Sequence, residues 1–222
     1  MLPSQSIRKL DLSNIGESIV DEAVRIIKGG GVILYPTDTI YGLGCNAFDV
    51  RAVERIYAIK KRPSHHPVLV LMNSVSAVED LVEEIPVAVR QLLKVFWPGP
   101  VTFVFWAKRH LPRCIVSEDG KIGIRIPKHE FCKRLCGLSG VPVLSTSANI
   151  SGQPQTVNID ILKKLFAMEV DLFIDAGDYT SGTVSTVVDV TGKEPVVLRE
   201  GVISRDKIVS VLHRQEDLPT NP

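Results

Sequence analysis

The stretch 29–48, GGGVILYPTDTIYGLGCNAF, decides how the rest of the chain is read. Gly29, Gly30 and Gly31 stop whatever precedes them, and the residues 31–35 read as a short buried strand built on Val32, Ile33 and Leu34. A polar turn of Pro36, Thr37, Asp38 and Thr39 follows that strand directly, and Gly42 and Gly44 come where a helix would ordinarily cover a sheet. Small hydroxyl residues at a strand end can bond a ligand without filling its space, and glycine lets backbone N–H groups approach it. The stretch therefore implies an α/β protein that carries a ligand beyond a strand end.

Working outward, helix and strand signals alternate. Residues 17–28 repeat apolar side chains at helical spacing and stop at the three glycines. Asp49 is placed to cap a second helix, which ends at KKRP because Pro63 disfavours helical geometry before it. The run 67–72 reads as a buried strand, and helices are expected around 75–83 and 87–96. Strands follow at 101–107, 121–127 and 141–149, with a helix near 128–138, then a helix near 158–167 and three strands in DLFIDAG, STVVDVT and PVVLREG. The expected organisation is a lead-in over 1–18, a single α/β domain over 19–205 with a twisted mixed sheet and flanking helices, and a helix end and polar tail over 206–222.

A chain of 222 residues can bury an ample core without disulfide or metal staples. A net charge of +1 excludes a generally basic nucleic-acid binder while leaving room for a local basic cavity. No apolar run is long enough to cross a bilayer, and the first residues lack the apolar stretch of a secretory signal, so the expected location is cytoplasmic, away from membranes. The four cysteines form no CxxC pair; Cys132 and Cys136, one helical turn apart, read as small apolar residues on a buried helix face, with half a metal site as the alternative.

The opening pattern recurs: PTDT after VILY, STSANISG after VPVL, and REG after VVL. Each alone is an ordinary turn. Together with Arg125, set between Ile124 and Ile126 in an apolar strand, they point to an anion-binding cavity. Alternation puts Arg125 opposite its isoleucine neighbours, where its guanidinium meets either an internal carboxylate or a ligand anion. Lys60, Lys61 and Arg62 end a helix, where solvent or ligand contact is expected, and Arg199 closes a strand. No Walker sequence, GxGxxG or serine elbow is present, so the residues alone reach only a phosphate- or carboxylate-binding α/β protein.

The stretches YPTDTIYGLGCNAFD, IYAIKKRPSHHPVLVLM, WPGPVTFVF, IGIRIP, VPVLSTSANISGQP and STVVDVTGKEPVVLREGVIS resemble the YrdC-like family, most closely its threonylcarbamoyl-AMP synthases, from about Ile19 to Ile203. The resemblance implies a sheet around a positively charged cavity. It also implies an enzyme that joins L-threonine, bicarbonate or CO2, and ATP, with Mg2+, into threonylcarbamoyl-AMP and pyrophosphate. Separate tRNA threonylcarbamoyl transferase machinery then modifies adenosine 37. Carried over by motif, Lys60 and Arg62 are catalytic and, with Ser64, Ser147, Asn149 and Arg199, bind ATP; Thr37, Arg125, Ser145 and Ser185 bind threonine. Gly42 and Gly44 are expected to keep the cavity open. The alternatives are a module that contacts tRNA or double-stranded RNA through the cavity, and a paralogue handling carbamoyl-adenylate.

Overall fold

The computed structural model describes residues 6–62, 68–178 and 182–216. In chain order its elements are β1 (Ser6–Lys9), α1 (Glu17–Lys28), β2 (Ile33–Tyr35), β3 (Gly42–Asn46), α2 (Val50–Ile59), β4 (Leu69–Leu71), α3 (Val75–Glu79) and α4 (Arg90–Phe96). After these come β5 (Val101–Trp106), β6 (Lys121–Arg125), α5 (Glu130–Ser139), β7 (Val143–Ser147), α6 (Ile159–Leu165), β8 (Leu172–Asp175), β9 (Thr186–Asp189), β10 (Val196–Arg199) and α7 (Arg205–Glu216).

The helices begin and end for local reasons. Asp49 accepts from the amides of Arg51 and Ala52 and so caps α2, as its position before an apolar run predicts. Asn158 does the same for α6 through the amide of Ile161. The glycines after α1 close it, with the amide of Gly29 bonded to the carbonyls of Arg25 and Ile26.

The ten strands among the described residues form one mixed sheet in the order β1-β8-β2-β3-β7-β4-β6-β5-β9-β10. The β2–β3, β3–β7, β4–β7, β5–β6 and β9–β10 pairs are antiparallel, and β1–β8, β2–β8, β4–β6 and β5–β9 are parallel. After PTDT, where a helix would ordinarily cover the sheet, the chain turns back as β3, and Gly42 pairs with both Tyr35 and Ser147. The lead-in contributes β1, paired with β8.

Alternation divides the core. Val32, Leu34, Val70, Phe103, Ile124 and Leu144 join the larger cluster, which includes residues of α2, α3 and α4. Ile33, Tyr35, Leu71 and Val143 point the other way, against Ile19, Val20, Ala23 and Ile27 of α1 and Phe131, Cys132, Leu135 and Cys136 of α5. Cys132 and Cys136 are thus core packing residues. Helices α1 and α5 cover this second face at the β8–β2 end and over β7; the continuation of the face across β6, β5 and β9 is where the cavity lies.

Candidate active site

The cavity has a volume of about 480 Å3. Its floor is made mainly of alternate strand residues: Leu69 and Leu71 of β4, Gly123 and Arg125 of β6, Thr102 and Val104 of β5, and Val187 of β9. The loop carrying Thr37 and Thr39 forms one wall, and Leu198 and Arg199 of β10 another. The ligand space therefore lies on the face of the sheet rather than beyond its strand ends. Gly42 lines it, and a Cβ there would sit 3.2 Å from the Ser145 hydroxyl. Gly44 has a different reason: a Cβ there would lie 2.7 Å from the Tyr35 ring, so it makes room for that ring rather than for a ligand.

Arg125 is almost fully buried, at 4% exposure. Its Nε donates to the Gly99 carbonyl at 3.1 Å, Nη1 donates to Thr39 Oγ1 at 3.1 Å, and Nη2 donates to the Asp38 carboxylate. Of a guanidinium's five N–H groups, these bonds use three, and the other two have no hydrogen-bond partner among the described residues. Both partners foreseen for Arg125 are thus compatible: it pairs internally with Asp38 and lines the cavity.

Hydroxyls surround it. Thr37 Oγ1 lies 3.0 Å from Thr39 Oγ1 and donates to the Ile40 carbonyl at 2.7 Å. The Tyr35 hydroxyl donates to Ser145 Oγ at 2.8 Å, and burial pushes this phenol well above its ordinary pKa, so it stays a donor. Thr102 Oγ1 and Ser185 Oγ are 3.0 Å apart.

Lys60 departs from its expectation. It is 1% exposed and is not among the residues lining the cavity. Helix α2 ends there, Lys61 adopts a left-handed φ of 49°, and the amides of Lys61 and Arg62 close back on the carbonyls of Ala58 and Tyr57. The Lys60 ammonium points inward and donates to the Ser147 carbonyl at 2.5 Å, the Asn149 carbonyl at 2.8 Å and Asn149 Oδ1 at 3.1 Å. The Asn149 side chain also accepts from Ser147 Oγ at 2.7 Å and donates to the Gln153 carbonyl at 2.8 Å. The KKR and SAN stretches are therefore one unit, in which a cation organises a turn. Burial, reinforced by the charge of Arg62, pushes the Lys60 ammonium down to about 7.

Arg199 donates through Nε and Nη2 to the Ser185 carbonyl at 3.2 and 2.9 Å, and through Nη2 to Ser185 Oγ at 3.2 Å. Burial lowers its pKa, and the charges of Arg125 and Arg62 lower it further. Three guanidinium groups thus act on one region. At the other end of β6, Lys121 donates to Asp189 at 3.0 Å and pairs with Asp119 at 3.2 Å; all three line the cavity.

The structure gathers Thr37, Arg125, Ser145, Ser147, Ser185 and Arg199 around the cavity. Lys60 and Asn149 sit behind it, and Arg62 acts on it through charge. Ser64, with His65 and His66, lies outside the described residues. Sequence reasoning passed over Thr102 and Lys121, and named Thr39 only as part of the PTDT turn. Thr102 carried a usable signal: in VTFVFW it is the polar residue of an apolar strand, as Arg125 is in GIRIP.

A family model, Sua5_yciO_yrdC, described as telomere recombination, matches residues 25–201. The chain is 37% identical over 203 residues to the threonylcarbamoyl-AMP synthase of Pyrococcus abyssi, covering 90% of this chain and 60% of that protein. It is 35% identical over 158 residues to the threonylcarbamoyl-AMP synthase of Coxiella burnetii, covering 70% of this chain and 84% of that protein. Among solved structures, the crystal structure of P. abyssi Sua5 complexed with L-threonine superimposes with a TM-score of 0.87 at 36% identity, over 92% of this chain and 60% of that one. Escherichia coli YciO gives a TM-score of 0.84 at 32% identity, over 92% of this chain and 99% of that one.

Proposed function

The chain belongs to the Sua5/YciO/YrdC family, and on that premise we propose that it makes L-threonylcarbamoyl-AMP from L-threonine, bicarbonate or CO2, and ATP, releasing pyrophosphate. The observation that carries the proposal is the Arg125 fork, held in a hydroxyl-lined cavity with two N–H groups to spare for a carboxylate. The relatives named for this activity support it, as does the neighbouring structure that holds L-threonine.

In this reading Arg125 takes the threonine carboxylate, while Thr37, Ser145 and Ser185 surround the amino acid. The threonine amine adds to the carbon of CO2, or of bicarbonate with loss of water, and gives up a proton, leaving a carbamate. A carbamate oxygen bonds to the α-phosphorus of ATP, and the bond from that phosphorus to the β-bridging oxygen breaks. The electron pair leaves with pyrophosphate. Arg62 and Arg199 stabilise the charge that grows on the phosphate oxygens, and no protein nucleophile is needed. Ser147 and the turn that runs through Asn149 hold the nucleotide, and Lys60 shapes that turn.

ATP enters as its magnesium complex, in which the metal offsets phosphate charge. Among the described residues no group of three or more His, Cys, Asp or Glu side chains could hold a metal ion, so phosphate oxygens and water would be the main ligands. The product is a reactive mixed anhydride, which a transferase acting on adenosine 37 of tRNA would consume in the cytoplasm. No helix among the described residues is long and apolar enough to cross a membrane.

The test is pyrophosphate release from ATP with mass spectrometry of the nucleotide product. Formation of threonylcarbamoyl-AMP only when threonine and bicarbonate are both present is the expected result. Equal ATP turnover without threonine would reject the reading.

A further inference from the structure

Asp38 is the unassigned acidic group that touches the carboxylate-binding fork. Its Oδ1 accepts from Arg125 Nη2, and its Oδ2 accepts from the Lys128 amide at 3.0 Å. Its side chain is only 11% exposed, and it is not among the residues lining the cavity. The carboxylate is thus clamped behind Arg125, between the PTDT loop and the chain leaving β6. Arg125 needs this clamp for two reasons. A guanidinium buried to this degree is costly without a compensating charge. Arg125 also shares its region with Arg199 and Arg62, whose repulsion a counter-charge relieves.

We propose that Asp38 is the positioning residue for amino-acid recognition: it fixes the plane of the Arg125 guanidinium so that the two unbonded N–H groups meet a ligand carboxylate together. Thr39 and Gly99 hold the other two bonded positions, so the fork is fixed from two segments, the PTDT loop and the turn before β5. Without Asp38 one side of the fork is released. The loss falls on the amino acid, because Asp38 touches nothing on the Lys60, Ser147 and Asn149 side.

The inference rests on the reading of the cavity as a threonine site, and the experiment separates the two. Calorimetric titration of the wild-type protein with L-threonine comes first; absence of binding there rejects the threonine reading and, with it, this role for Asp38. Given binding, Asp38→Ala should weaken threonine at least about tenfold, the scale of one lost charge-assisted contact. The KM for ATP at saturating threonine should stay within about twofold, since uniform losses belong to damage elsewhere. Asp38→Asn is isosteric and keeps an acceptor for Nη2, but it loses the charge and sets an NH2 group against the Lys128 amide, so it should recover only part of the threonine affinity; it also guards against a folding failure of the alanine variant. Folding is followed by melting curves. Threonine affinity unchanged in a folded Asp38→Ala protein, equal losses for threonine and ATP, or no recovery in folded Asp38→Asn would each overturn the proposal.

Discussion

The Lys60 ammonium lies 3.1 Å from Asn149 Oδ1, beneath the turn that carries it, and meets two backbone carbonyls of the same turn. A lysine that sequence reasoning aims at phosphate is, in this structure, the internal cation of the turn expected to hold the nucleotide. The Lys60 carbonyl also accepts from the Ser151 amide at 2.9 Å, so helix α2 and the turn after β7 are joined at two levels.

Replacing Lys60 therefore affects the fold as well as nucleotide use. Lys60→Met keeps the stem but takes the ammonium from the Ser147 and Asn149 carbonyls and from Asn149 Oδ1, which keeps only its bond from Ser147 Oγ. Relief of the buried charge offsets part of the lost bonding, so the substitution should cost about 1–2 kcal/mol of stability and raise the KM for ATP more than that for threonine. Denaturant melts beside steady-state kinetics check this; wild-type stability with poor ATP use would restore a purely ligand-facing role.

The same lysine sets a pH dependence. Its folded pKa is about 7 against an ordinary 10.5, so between those values the unfolded chain binds the additional proton. Its contribution therefore makes stability rise as pH climbs through that window, and adds no slope below about 7, where both states are protonated. Lys60→Met should remove this part of the slope. Urea melts of both proteins from pH 6 to about 9.5 measure the difference directly.

Arg125→Lys keeps the charge and loses the fork. One ammonium cannot serve Gly99, Thr39 and Asp38 and still offer a paired contact to a carboxylate. Stability should fall by about 1–3 kcal/mol, and threonine affinity by more than about tenfold. Amino-alcohol analogues lacking the carboxylate should lose far less. Titration with both ligands beside a melting curve separates these effects, and a destabilised protein with wild-type threonine affinity would leave Arg125 a structural role only.

Lys61 ends α2 in a backbone region that favours glycine. Lys61→Gly should stabilise the protein by about 0.5–1 kcal/mol, because relief of the left-handed strain outweighs the greater freedom of the unfolded chain. Turnover should be unchanged if the closing bonds of Lys61 and Arg62 persist. A melting curve of the variant decides it.

Much of this was legible because burial and period coincide. The stripe in 17–28, the cap at Asp49 and the apolar runs near 69, 101 and 121 each carry a local signal that the fold keeps. β3 was not legible: GLGCN has two glycines and little β propensity, and it exists because Tyr35 on one side and Ser147 on the other pair with Gly42. β1 was silent too, since SIRK is a polar edge strand whose place is set by β8. In the site, residue types were readable and partners were not. Spacing could nominate Arg125 and Lys60, but the oxygens around each come from other elements of the chain.

β8 stands between β1 and β2, although it is made after both and after most of the chain. A ribosome therefore delivers two strands well before the one that joins them. The contacts that shape the cavity have the same character: Asp38 and Arg125 are 87 residues apart, and Tyr35 and Ser145 are 110 apart. Such contacts form late, because a long loop must be closed before any of them stabilises the chain. A nascent chain stopped short of residue 172 would carry the PTDT loop without its completed sheet, and β1 and β2 would expose bare edges to mispairing. Competence for the amino acid and protection from aggregation would then arrive together, with the last third of the polypeptide.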